Sequence, residues 1–168
     1  MRLEETIILG IISSIIASIV FYLIMIFIKP RFIISDKIGC TKVDNEYVDY
    51  VIKIVNTTHA YITNIDYSLL YCIESDDGVV EIKIVEPLKT PLKNLDKYTK
   101  KNTDYAYRIT YRIKKEDYPL NENTYFEFTF QANHSFSNAM KIKKSIYRKG
   151  SIMSGIFETG KSVKVLNC

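Results

Sequence analysis

Hydrophobic and polar positions follow two different regimes along this chain. Over 6–28 the sequence TIILGIISSIIASIVFYLIMIFI runs for 23 residues without a charge, and Lys29, Pro30 and Arg31 follow directly. An apolar run of this length predicts a transmembrane helix. At about 1.5 Å per residue it extends roughly 34 Å, against a hydrocarbon core of about 30 Å. A cleaved signal peptide fits poorly, because the run exceeds the usual apolar region of about 7–15 residues and no Ala-x-Ala pattern follows.

Beyond Pro30 the pattern changes to short alternating stretches separated by Asn, Asp, Gly and Pro, which are strand signals. Strands are expected at 47–55 (YVDYVIKIV), 65–73 (IDYSLLYCI), 79–85 (VVEIKIV), 105–113 (YAYRITYRI) and 124–132 (TYFEFTFQA), with weaker ones at 31–35, 139–147, 151–157 and 161–166. The second and third read as a hairpin closed at Asp76-Asp77-Gly78. Seven to eight strands without intervening helices predict an all-β domain, an antiparallel sandwich or small β-barrel of roughly 135 residues. The chain then divides into a tail (1–5), a membrane helix (6–28), a juxtamembrane linker with the first strand (29–36) and the β domain (37–168). The expected core draws on Val48, Ile52, Ile54, Ile65, Leu69, Ile82, Ile84, Ile109, Phe126, Phe128, Phe130, Ile142 and Ile146.

One connection is long. Residues 86–104 (EPLKTPLKNLDKYTKKNTD) exceed the few residues that usually join sandwich strands. They carry Lys93, Lys97, Lys100 and Lys101 at helical spacing after Pro91, which suggests a short basic amphipathic helix. A second basic cluster is Lys141, Lys143, Lys144, Arg148 and Lys149. Both clusters suit anionic lipid headgroups or a phosphorylated ligand, and both also suit a plain solvated surface.

Composition adds modest constraints. With 168 residues, 47% hydrophobic and 25% charged, 13 Tyr and 8 Phe, disorder is excluded and β-structure favoured. Subtracting 19 acidic from 23 basic residues gives +4, too mild to imply a nucleic-acid polymer as partner. Its placement says more. Lys29, Arg31 and Lys37 follow the helix while only Arg2 precedes it, so the positive-inside rule puts the β domain in the cytoplasm. Cys40, Cys72 and Cys168 form no CxxC pair, as expected where thiols stay reduced. Asn56-Thr57-Thr58 and Asn133-His134-Ser135 match the glycosylation sequon, which would suit the opposite topology.

Candidate functional residues fall in three groups. Gly10, Ser14 and Ser18 recur every four residues in the helix, a small-xxx-small face suited to self-association into a homo-oligomer within the lipid bilayer, although small residues are common in such helices anyway. Arg108 and Arg112 lie on the polar face of an aromatic strand, where guanidinium groups pair with phosphate and Tyr stacks on a base; the plain alternative is the wet side of a sheet. Lys97, Lys100 and Lys101 form the third group. No Gly-rich phosphate loop, HExxH, GxSxG or CxxC pair occurs, so no catalytic residue, cofactor or metal is expected. His59 and His134 read as surface histidines in turns.

An N-terminal membrane segment followed by a compact β domain resembles the membrane-tethered β-barrel effectors of bacterial cyclic-oligonucleotide anti-phage signalling. The resemblance implies a place in a bacterial inner membrane, a cytosolic domain that binds a cyclic nucleotide, and a membrane segment whose packing then changes so that the bilayer leaks. The competing expectation is a passive, Ig-like membrane-tethered module that recruits a protein partner, for instance by adding a strand to a sheet edge.

Overall fold

The computed structural model describes residues 3–75, 77–89, 91–100 and 103–166. Helix α1 (Leu3–Phe27) comes first, and its stretch Thr6–Met25 has a mean hydropathy of 2.7 with none of it buried. It is long and apolar enough to cross a membrane. Eleven strands follow among the described residues: β1 (Phe32–Ile34), β2 (Ile38–Lys42), β3 (Tyr47–Asn56), β4 (Ile62–Glu74), β5 (Val80–Val85), β6 (Ala106–Lys114), β7 (Thr124–His134), β8 (Met140–Tyr147), β9 (Ile152–Ser154), β10 (Ile156–Phe157) and β11 (Val165–Leu166).

They form two packed sheets and a small hairpin. In the first sheet β3 is the centre: β6 pairs along one edge, while β1 and β2 share the other end to end, and β9 adds to β2 in parallel. The second sheet has the order β5-β4-β7-β8, all antiparallel. No strand pairing joins the two sheets among the described residues, so the β domain is a two-layer sandwich and the barrel alternative does not hold. The expected seven to eight strands become eleven because β2 was not anticipated and the weak C-terminal stretches break into three short strands.

Strict alternation builds the core. Every second residue of β7, including Phe126, Phe128 and Phe130, is buried, and these rings meet the opposite sheet at Phe32–Phe130 (4.8 Å) and Tyr50–Phe126 (5.6 Å). Val48, Ile52, Ile54, Leu69 and Ile109 are also buried as expected. Four expected core residues are not. Ile82, Ile84, Ile142 and Ile146 are exposed, because β5 and β8 are the edges of the second sheet and these side chains lie on its outer face, which no described residue covers there. Ile65 is half-buried beside a β-bulge on β4 that puts Asn64 at φ 49°.

The long 86–104 connection is not helical in its described residues. The bulge frees backbone groups of β4 to pair with it instead: Ile62 and Leu95 exchange hydrogen bonds at 3.0 and 2.9 Å, and the Ile65 amide donates to the Lys93 carbonyl. Leu95 is thereby buried in the core. Lys93, Lys97 and Lys100 are exposed while Leu92 and Leu95 pack, which explains why the spacing imitated an amphipathic helix.

Candidate anion-binding cleft

The candidate site arises where the C-terminal segment folds over the outer face of the first sheet. Gly39 makes the close approach: a Cβ there would lie 3.3 Å from the Phe157 ring and 3.1 Å from the Gly155 carbonyl oxygen. Phe157 is buried on this face, and Gly155, at φ 141°, lets the chain turn against the Leu166 carbonyl. Beneath this cover, Lys53 on β3 stands opposite Arg108 on β6.

Lys53 is only 1% exposed. Its Nζ donates to the Glu158 and Ser162 carbonyls, each at 2.5 Å, and Arg108 Nη2 donates to the Phe157 carbonyl at 2.6 Å. Two cations are thus held by backbone dipoles. Burial lowers the Lys53 pKa, the neighbouring Arg108 charge lowers it further, and Glu158 partly opposes them. Among the described residues Glu158 makes no ion pair with either cation. The cleft at this point has a volume of about 320 Å³ and is lined by Lys53, Thr103, Ala106, Tyr107, Arg108, Thr159 and Gly160. It offers positive charge and two threonines, a set suited to a small anion, while the Tyr107 ring lies on the opposite face of β6, packed against the core.

The other anticipated residues are placed elsewhere. Arg112 is two positions farther along the same face and forms a bidentate ion pair with Asp49, at 2.8 and 3.0 Å, which raises its pKa. Its fork is already occupied. Lys97 lies 5.9 Å over the Tyr61 ring, Lys100 is exposed at the end of its segment, and Lys101 lies outside the described residues. Gly10, Ser14 and Ser18 lie in the exposed helix, where the Ser18 hydroxyl donates back to the Ser14 carbonyl at 2.8 Å. Lys53 was not anticipated. Its signal was there, a single cation inside the apolar run Val51-Ile52-Lys53-Ile54-Val55, but alternation alone assigns it to solvent.

Several polar groups differ from expectation. His134 is buried, and its Nδ1 accepts from the Phe136 and Ser137 amides at 3.3 Å each, so the ring is a turn cap; burial lowers its pKa. Asn56 is fully buried and its Nδ2 donates to the Ala60 and Asp96 carbonyls at 2.8 Å, which leaves the first sequon no accessible amide in the folded domain. Burial raises the thiol pKa of both Cys40 and Cys72. No protein-family model matches this chain, and no curated protein matches it.

Proposed function

We propose that the chain is a single-pass membrane-anchored sensor whose β domain takes a small phosphate-bearing anion at Lys53 and Arg108, and that occupancy controls self-association of the membrane helix. The observation that carries this reading is the pairing of two cations on adjacent strands under a cover that satisfies them with carbonyls and no ion-paired carboxylate. An anion there would gain two charge-assisted partners without displacing an existing ion pair. The phosphates of a cyclic nucleotide are in keeping with this pair of cations, and Gly10, Ser14 and Ser18 supply the face through which helices of a homo-oligomer would approach. The basic residues after the helix favour a cytoplasmic β domain in a bacterial inner membrane, and the proposed output is a leaky bilayer in anti-phage defence.

The test is dye release from vesicles carrying the full chain, on addition of a panel of cyclic di- and trinucleotides. Release that is lost in Arg108→Ala and in Gly10→Leu supports the proposal. Binding without release, or release unaffected by Gly10→Leu, contradicts the coupling to the helix. The second reading, a passive tethered module for a protein partner, draws on the open edge of β5 and its exposed Val80, Ile82 and Ile84.

A further inference from the structure

We propose that the end of the sandwich nearest α1 is seated in the bilayer interface, with Phe136 inserted at headgroup depth; this rests on the reading of α1 as a membrane span. The helical hydrogen bonding runs to Ile28, whose amide donates to the Ile24 carbonyl at 3.2 Å. The Ser137 hydroxyl donates to the carbonyl of that same Ile28. The β7–β8 turn is therefore tied to the residue at which the helix leaves the membrane. Phe136 is the preceding residue, its Cα about 3.8 Å from that of Ser137, and it is 64% exposed. With α1 spanning the membrane, a large exposed apolar ring held this close to its exit lies at the depth where hydrocarbon gives way to headgroups.

The turn is built rather than loose. The Asn138 amide donates to the His134 carbonyl at 2.8 Å, Asn138 sits at φ 52°, and the His134 ring accepts the Phe136 and Ser137 amides. Presentation of Phe136 is thus fixed before any membrane contact, which lowers the entropic cost of insertion. Beside it the Ser135 amide donates to the Tyr61 carbonyl, and the half-exposed Tyr61 ring lies under Lys97. Lys29 and Arg31 line the adjoining cleft with Phe27 and His59. Aromatic rings interleaved with Lys and Arg are what an interface between hydrocarbon and anionic headgroups selects. This also gives Lys97 a role that the anion cleft does not.

The chain contains no tryptophan, so single Trp variants report their own surroundings. Full-length Phe136→Trp, Tyr61→Trp, Phe21→Trp and Val79→Trp would each be placed in vesicles of phosphatidylcholine and phosphatidylglycerol, with and without bromine on the acyl chains. Val79 follows the far end of the 13-residue β4 and Phe21 is inside α1. The expected result is a roughly two-fold loss of emission for Phe136→Trp and Phe21→Trp, a smaller loss for Tyr61→Trp and none for Val79→Trp. Quenching of Phe21→Trp alone would overturn the seating and leave the span intact. Quenching of Val79→Trp to the same extent as Phe136→Trp would also overturn it, and no quenching at any position would remove the span as well.

Discussion

The two outer faces of the sandwich carry similar alternating sequences and meet opposite fates. On the first sheet, the C-terminal segment covers the face and buries Gly39 and even Lys53. On the second sheet no described residue lies over this row, and Ile84 is left 72% exposed beside Leu70, Glu127 and Ile146. The difference teaches that burial here is decided by a segment remote in sequence and not by the strands themselves. A cation became a buried site residue and four isoleucines became surface because of where residues 155–166 lie.

The sharpest way to break that contrast is to remove the anchor of the cover. Phe157→Ala should cost about 3–5 kcal/mol, the range for emptying a buried aromatic site, and should open Lys53 to solvent. Chemical denaturation measures the loss, and faster amide exchange along β3 would report the opening. Gly155→Ala comes next, at about 1–3 kcal/mol, because any Cβ at φ 141° would be strained and would lie 1.9 Å from the Leu166 carbonyl oxygen. Its loss should appear in thermal melts as a lower midpoint.

A smaller effect is pH-dependent. The unfolded Lys53 titrates near its ordinary 10.5 and the folded one lower. Between those two values the unfolded chain binds more protons, so stability should rise with pH across that window and stay flat below it. Comparing stability against pH in wild type and Lys53→Met isolates this slope, since contributions from the buried tyrosines cancel. An identical slope in both would mean that Lys53 is not desolvated. Smallest of all, Ile84→Thr and Ile146→Thr on the open face should change stability by no more than about 0.5 kcal/mol. A cost comparable to that of Phe157→Ala would show that something covers this face in solution.

Much of the fold was legible in the sequence, and the reasons differ by element. The membrane-length helix followed from one uninterrupted apolar run, and β7 from its Phe alternation, because each pattern is local. β2 was missed because Ile38-Gly39-Cys40-Thr41-Lys42 offers little alternation and owes its pairing to β3 and β9. The edge positions of β5 and β8 are facts of sheet order, which no period in the chain encodes. Of the site, Arg108 was visible as a cation on a strand's polar face. The pairing with Lys53 and the engagement of Arg112 by Asp49 depend on register between strands about 60 residues apart, and the cover from Gly155 onward on contacts more than 100 residues apart, beyond what spacing along one strand can express.

The central claim is that the covered face, at Lys53 and Arg108, is where an anion binds. Its most direct measurement is the affinity of a labelled cyclic dinucleotide for the full chain in nanodiscs, in wild type, Arg108→Ala and Arg112→Ala. Saturable binding that weakens about ten-fold or more in Arg108→Ala, as removal of one charge-assisted pair requires, and is unchanged in Arg112→Ala is the predicted result. Equal weakening in both variants, or binding indifferent to Arg108, would contradict it.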